Sequence, residues 1–462
     1  MFDNLILDTD SYKASHWLQY PPGTSGVFSY VESRGGRHDR TVFFGLQAIL
    51  KAQLGRPVTH ADVDEARDLF AAHGEPFNEA GWRRIVDVHR GRLPVRIRAL
   101  AEGTVVPTHN VMMTIENTDP EAFWLPSYLE TLLLRVWYPT TVATISWHVK
   151  QQLRAALEAT SDNAAAELPF KLHDFGSRGV SSQQSAALGG LAHLVNFQGS
   201  DTVAAILAGR AWYGEPMAAA SIPAAEHSTI TSWGRDREVD AYRNMLAQFG
   251  RPGALFSVVS DSYDLFHAVR DLWGGELRQA VIDSGATLVV RPDSGDPATM
   301  VAETLKALDE TFGSSVNGKG FKVLNHVRVI QGDGVNPVSI GQILDRVTGM
   351  GFSAENLAFG MGGGLLQQLD RDTQKFALKC SAACVDGDWI GVSKDPVTDP
   401  GKRSKAGRLM LQQNAAGDFR TVAEGAEGAA DGGWSDALDL VWENGRLLRD
   451  QTFAAVRANS ER

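Results

Sequence analysis

The run Pro223-Ala224-Ala225-Glu226-His227-Ser228-Thr229 sets a histidine beside a carboxylate and two hydroxyls, among small residues that leave room for a bulky ligand. A histidine oriented by a carboxylate can act as a nucleophile or as an acid–base group. Glu226 or Asp261 can supply that orientation, although a lone histidine is more often structural. In Arg291-Pro292-Asp293-Ser294-Gly295 a guanidinium and a carboxylate stand two residues apart at the end of an apolar run. Side chains so spaced on a strand can reach one ligand, the first through phosphate and the second through sugar hydroxyls. A turn capped by Asp293 accounts for the same spacing, and Ser260-Asp261-Ser262 serves equally as a helix cap. Gly360-Met361-Gly362-Gly363-Gly364-Leu365 offers backbone N–H groups to a phosphate, and a helix starting near Leu365 would add its dipole. A tight turn uses the same residues. The run fails the dinucleotide fingerprint at its last position, and the chain has no Gly-x-x-x-x-Gly-Lys-Ser/Thr loop.

Residues so scattered need a scaffold that gathers strand ends. Between residues 170 and 369, short apolar runs at 170–173, 194–197, 255–260, 287–290, 327–331 and 357–360 alternate with helical segments, which reads as parallel strands in repeated βα units. Asp296 before Pro297 and Asn336 before Pro337 are helix starts, a cap followed by proline at the first helical position. Asp174 and Arg178, Asp201, Asp261, Arg291 and Asp293, Asp333 and Gly362 to Gly364 all fall just after the strands. That placement predicts a barrel whose loops converge on one face, while an open doubly wound sheet would use its strand ends similarly. Strand-like runs at 27–31, 96–100 and 111–115 precede a helical stretch at 128–160, which Pro139 interrupts. Strand and turn return at 389–392, 408–412 and 440–442, with Glu443-Asn444-Gly445 as a hairpin turn and 423–433 as a mobile surface loop. The expected organisation is a β-rich part with connecting helices at 1–150, an α/β barrel at 151–375, and a completing β-rich part at 376–462.

Composition excludes several classes. With 462 residues and 43% hydrophobic content the chain can build more than one ordinary core. No run of eighteen apolar residues occurs, and Arg135 interrupts the stretch 132–142, so no membrane association is expected. Asp3, Asp8 and Asp10, with no basic leader, lead to the expectation of a cytoplasmic protein. The net charge of −11 and scattered basic residues argue against nucleic acid, so an anionic ligand would need specific arginines. Cys380 and Cys384 match neither a redox pair nor a zinc knuckle and read as buried thiols.

Taken together, the segments resemble the nicotinamide phosphoribosyltransferases, a family of type II phosphoribosyltransferases, from Thr9-Asp10-Ser11-Tyr12-Lys13 almost to the C-terminus. The specific pieces are Lys171-Leu172-His173-Asp174-Phe175-Gly176, Val195-Asn196-Phe197 with Gly199-Ser200-Asp201-Thr202, and residues 223–231, 258–263, 291–295, 331–334 and 362–366. Lys394-Asp395-Pro396 with Lys402-Arg403-Ser404-Lys405 is a later one. The resemblance implies an irregular TIM-like α/β barrel joined to a β-rich domain built from both chain ends. It also implies a homodimer with active sites at the interface. Phe175 and the Tyr12 of a second copy would sandwich a pyridine ring, and Asp201 would accept a hydrogen bond from its carboxamide and reject the acid form. Arg178, Arg291, Arg371 and Lys379 would surround phosphate and pyrophosphate, with Arg371, Lys379 and Arg34 coming from the second copy. Asp293, Gly332 and Asp333 would hold the ribose side, and Gly362 and Gly363 the 5′-phosphate.

The implied reaction joins nicotinamide to phosphoribosyl pyrophosphate, giving nicotinamide mononucleotide and pyrophosphate for NAD salvage. It is coupled to ATP as co-substrate through phosphorylation of His227, oriented by Glu226 and Asp261. Mg2+ would arrive on the pyrophosphate; the sequence offers no dedicated ligand cluster, although Asp261 and Asp293 can contact the ion or its waters. Ala377 stands where serine is common and Ser177 where tyrosine is, and the loop after Arg34 is short; these departures touch affinity rather than the reaction. The rivals are a nicotinate phosphoribosyltransferase, from which Asp201 discriminates, and a non-catalytic nucleotide-binding protein, which need not keep His227, Asp261, Arg291, Asp293 and Arg371 together.

Overall fold

The computed structural model describes residues 3–395, 397–398, 404–426 and 433–462. Pro396, Lys402 and Arg403 of the late motif, and residues 427–432 of the 423–433 loop, lie outside the described residues. The chain divides into two compact units, residues 1–144, 209–215 and 370–462 in one and residues 145–208 and 216–369 in the other. The divisions fall a few residues ahead of the expected boundaries after 150 and 375, and Gly209–Glu215 goes with the unit made of both chain ends.

That unit is built on a seven-stranded sheet in which Thr24–Ser33 lies between Phe376–Val385 and Val111–Asn117, so strands from opposite ends of the sequence are neighbours. Every pairing in it is antiparallel. The core includes Tyr30, Ile97 and Met113 from the sheet and Trp82, Trp124 and Tyr128 from the helices. The rings of the last three pack edge to face at 5.0–5.6 Å, a geometry that adds to the gain from burial. Asn444 and Gly445, both with positive φ, form the two-residue turn between Glu443 and Arg446, as the sequence suggests. The helix expected to break at Pro139 instead runs Trp137–Thr160. Proline in the first turn removes no helical hydrogen bond and is tolerated there. Both cysteines are free thiols on Phe376–Val385. Cys384 is buried, whereas Cys380 is half-buried, its thiol pushed up to about 11 by desolvation.

The second unit is a barrel of six parallel strands, β1 (Leu172–Asp174), β2 (Gly199–Ser200), β3 (Leu255–Val259), β4 (Thr287–Arg291), β5 (Val327–Gln331) and β6 (Leu357–Met361), in the order β2-β1-β6-β5-β4-β3. Residues 220–225 cover both outer strands at once, Ala220 bridging to Gly199 of β2 and Ala224 to Ser257 of β3. Four main-chain bonds hold this seam: Ala220 N–H to Gln198 O at 2.8 Å, Ser200 N–H to Ala220 O at 3.2 Å, Ser257 N–H to Pro223 O at 2.8 Å, and Ala225 N–H to Ser257 O at 2.9 Å. The ring is therefore closed and irregular, and the open-sheet alternative is excluded. Asp296 and Asn336 cap Pro297–Phe312 and Pro337–Gly349 through the amides of Thr299 and of Val338 and Ser339. One expected strand is absent: residues 194–197 form a turn after the helix Gln183–His193, and the strand comes later, at Gly199–Ser200. The apolar run is buried as a turn, with Phe197 stacked on His193 at 5.3 Å. Among the described residues no helix is long and apolar enough to cross a membrane.

Candidate active site

The residues beyond the strand C-termini of the barrel form a connected group. Phe175 follows β1; its amide donates to Met361 O at 3.1 Å, and its ring lies over Gly360, where a Cβ would come within 2.0 Å of a ring carbon. Glycine at 360 is what gives the ring its place. Arg291, closing β4, brings its guanidinium to 5.9 Å from the Phe175 ring centroid, and it passes so near Gly332 that a Cβ there would lie 3.2 Å from Nε. Asp201, just past β2, donates its amide to Asp174 O at 3.0 Å and accepts from Ser221 Oγ at 2.6 Å.

Two cavities meet at Phe175, Asp201 and Arg291. The first, about 490 Å3, runs within the barrel between largely apolar walls that include Ala220, Ile222, Val289, Ile330 and Leu357. It extends toward the strand N-termini, where Glu167, Lys171, Arg328 and Glu355 line it. His173 also faces it; burial holds its imidazole below the usual range against the opposing charge of Asp201. His173 Nε2 lies 3.0 Å from Phe170 O, which only accepts, so the proton belongs on Nε2. The second cavity, about 610 Å3, is polar, lined by Arg178, Arg291, Gly332, Asp333, Gly362 and Gly363 together with Ser177, Asn336 and Gln368. The glycine run carries a single helical turn, Gly363–Leu366, beginning two residues before the position expected. One turn has little macrodipole, so what it offers a phosphate is mainly backbone N–H groups.

A chain of hydrogen bonds leads from His227 to Arg291. His227 Nε2 lies 3.1 Å from Asp261 Oδ1, and Asp261 Oδ2 accepts from Asp293 N–H at 2.9 Å and Ser294 Oγ at 2.6 Å. Asp293 Oδ1 in turn accepts from Arg291 Nε at 3.0 Å and from a terminal nitrogen at 2.7 Å. Asp293 Oδ2 stands 4.0 Å from His227 Nδ1. Asp261 is almost fully buried, whereas the imidazole is 48% exposed, so a fixed carboxylate orients a ring open to solvent. Glu226 flanks the histidine but accepts from Ser228 Oγ. The carboxylate bonded to the ring is that of Asp261.

Beneath Phe175 and Asp201, Asp174 is fully buried. Burial raises its carboxyl to about 6, with the Asp201 charge adding to the rise and the Gly176 amide and Thr202 side chain opposing it. A folded-state value above the ordinary 3.8 means stability that is complete below about pH 4 and is lost as pH rises through about 6. Relative to Asp174→Asn, the native chain should therefore lose on the order of 3 kcal/mol across that window. Thermal unfolding of both from pH 4 to 7 measures this, and a constant difference between them would show that Asp174 does not titrate there.

Tyr12, Arg34, Arg371 and Lys379 belong to the other unit. Tyr12 is exposed, edge-on to His16 at 4.9 Å. Lys379 lies 4.0 Å from Glu130, which also binds Lys13 at 2.7 Å, and Arg34 pairs with buried Glu32 at 2.8 Å. Burial lowers the Lys379 ammonium, Glu130 opposes that shift, and the charges of Arg34, Lys13 and Arg371 add to it. These four basic residues thus form one cationic cluster. Sequence reasoning did not pick out Ser221, His173, Ser294 or Glu130 as site residues. His173 and Ser294 lie inside recognised motifs but carried no assigned role, and Ser221 and Glu130 lie in none, because each acts through a contact that the folded chain creates.

Residues 4–97 match the nicotinamide phosphoribosyltransferase N-terminal domain, and residues 170–427 the nicotinate phosphoribosyltransferase (NAPRTase) family. A protein of Xanthomonas campestris pv. campestris (strain 8004) named nicotinamide phosphoribosyltransferase is 66% identical over 460 residues, 99% of this chain and 98% of that one. Among solved structures, a nicotinate-nucleotide pyrophosphorylase from Pyrococcus furiosus aligns with TM-score 0.63 at 16% identity, covering 100% of this chain and 96% of that one. Human nicotinic acid phosphoribosyltransferase aligns with TM-score 0.56 at 17% identity, covering 98% and 93%. At such identities these two structures establish a shared fold.

Proposed function

This chain belongs to the nicotinamide phosphoribosyltransferase family, and we propose that it joins nicotinamide to phosphoribosyl pyrophosphate, producing nicotinamide mononucleotide for NAD salvage. The observation that carries this reading is the meeting of an apolar and a polar cavity at Phe175, Asp201 and Arg291. A flat pyridine suits the first, with Phe175 against its face and Asp201 accepting from the carboxamide N–H. Ser221 already occupies one Asp201 oxygen, which leaves the other for the substrate. The phosphoribosyl part suits the second, with Arg178 and the amides at Gly362 and Gly363 toward phosphate, and Gly332 and Asp333 toward ribose.

In the reaction, the pyridine nitrogen lone pair forms the bond to ribose C1 while the C1–oxygen bond to pyrophosphate breaks, and the leaving group takes the electron pair. Catalysis then rests on stabilising charge on that group. Magnesium carried by the pyrophosphate would supply part of that charge stabilisation. The residues fit an ion that arrives with its ligand: no group of three or more His, Cys, Asp or Glu among the described residues is arranged as a metal site, and Asp293 keeps Oδ2 clear of Arg291. Asp261 is less suited, because both its oxygens are engaged.

ATP coupling uses His227. With Nε2–H directed at Asp261, the Nδ1 lone pair is the nucleophile for the γ-phosphoryl group; an N–P bond forms, ADP leaves, and water later returns the phosphoryl group to solution. Measuring mononucleotide formation with nicotinamide or nicotinate, each with and without ATP, tests the reading. Nicotinamide should be preferred and ATP stimulatory, and His227→Ala should reduce turnover to the ATP-free rate. Stimulation by ATP that survives this substitution would overturn the role of His227, and preference for nicotinate that of Asp201.

Two copies complete each site in this proposal, the second providing Tyr12 opposite Phe175 and Arg34, Arg371 and Lys379 toward the pyrophosphate. The exposure of Tyr12 and Arg371 and the clustering of the cations support it. Mixing Tyr12→Ala and His227→Ala chains should restore part of the ATP-stimulated activity, about a quarter of native for random pairing with one intact site per mixed dimer. A mixture no more active than its parents would count against shared sites.

A further inference from the structure

Asp174 is a buried ionisable group that the reaction does not use. Its carboxylate Oδ1 accepts the Gly176 amide at 2.7 Å, closing a tight turn whose middle residue is Phe175. Its main-chain carbonyl accepts the Asp201 amide at 3.0 Å. One residue therefore touches the supports of both proposed pyridine contacts. The surroundings are shaped for a carboxyl group: a Cβ on Gly190, in the helix Gln183–His193 behind the strand, would stand 3.0 Å from Asp174 Oδ2. That oxygen makes no hydrogen bond of good geometry, and the neighbouring Thr202 side chain only tempers the rise of the carboxyl. Fully burying a carboxylate with one oxygen unsatisfied is costly, and an apolar side chain would suit packing alone better. The feature the carboxylate provides, and an apolar residue cannot, is the bond to Gly176 N–H.

We propose that Asp174 is a positioning residue for the pyridine, fixing the Phe175 turn through its side chain and Asp201 through its main chain. This rests on the reading that Phe175 and Asp201 receive nicotinamide. The side-chain arm is open to substitution and the main-chain arm is not, so the two separate by experiment. Asp174→Asn keeps an oxygen for the Gly176 amide, whereas Asp174→Leu is of similar size and has none.

Steady-state kinetics on the full-length enzyme, varying nicotinamide and phosphoribosyl pyrophosphate separately, tests it. In Asp174→Leu the KM for nicotinamide should rise about 10-fold or more, with kcat and the donor KM within about threefold of native, and Asp174→Asn should restore the nicotinamide KM to within about threefold. If the leucine variant does not fold, Asp174→Ala carries the same expectation, because it has no side-chain acceptor for the Gly176 amide. An unchanged nicotinamide KM in the leucine or alanine variant overturns the proposal. So does a loss falling equally on kcat and both KM values, the mark of a general structural role. Phe175→Ala provides the separation from the underlying reading: if it leaves the nicotinamide KM unchanged, that reading fails, and if it raises the KM while Asp174→Leu does not, only the role of Asp174 fails.

Discussion

Asp201→Asn should remove most of the discrimination between nicotinamide and nicotinate, shifting the ratio of their kcat/KM values by up to about a thousandfold. The carboxylate of nicotinate would sit beside that of Asp201, and like charges about 4 Å apart repel by roughly 4 kcal/mol at an effective dielectric of about 20. Asparagine keeps a carbonyl for the carboxamide N–H and offers an amide that the acid can accept from. Ser221 holds the native carboxylate by one oxygen, so the repulsion cannot be relieved by turning the side chain away without breaking a 2.6 Å hydrogen bond. Because Asp201 is exposed, the shift should shrink as salt is added. Competition between the two pyridines, followed by product analysis, reads the ratio directly. A ratio that does not move with the substitution would show that another residue sets the choice.

Arg291→Ala should lower kcat/KM for phosphoribosyl pyrophosphate by about thirtyfold or more, the equivalent of about 2 kcal/mol or more for truncating one member of a partly buried, hydrogen-bonded charge pair that also faces the donor. The guanidinium binds Asp293 through two nitrogens, faces the Phe175 ring and borders both cavities. Its loss leaves the Asp293 carboxylate uncompensated beside an anionic donor. Lysine should rescue little, since one ammonium cannot both present a fork to Asp293 and lie flat toward an aromatic ring. Initial-rate measurements at varied donor concentration decide this; a loss smaller than threefold would remove Arg291 from the donor site.

Much of the barrel was legible because its strands are buried on both faces and read as dense Val, Ile and Leu runs, as in residues 287–291 and 327–331. Asp296-Pro297 and Asn336-Pro337 were legible for a local reason, a cap and a proline acting within one turn. The run 194–197 misled because apolar content reports burial, and a turn buried against His193 is as apolar as a strand. For the site, strand-end position alone singled out Asp261, Arg291, Asp293 and Asp333. The cationic cluster of Arg34, Arg371 and Lys379 came from the family resemblance, since those residues are far apart in sequence and sit in no common motif. Contacts such as Ser221 with Asp201, or Asp174 with Gly176 and Asp201, depend on ring closure and a turn geometry that residue types do not encode.

The stretch that completes the barrel, residues 220–225, is joined to its neighbours by isolated bridges rather than by a continuous ladder, and it runs straight into Glu226 and His227. Ser221 near its start reaches the Asp201 carboxylate, and the imidazole just past its end reaches Asp261. If His227 is phosphorylated and Asp201 receives nicotinamide, as proposed, the two events would act on the two ends of one short strip of backbone. Reciprocity of linked equilibria would then require that whatever factor nicotinamide binding applies to the equilibrium between the free and phosphorylated protein, phosphorylation applies to the affinity for nicotinamide.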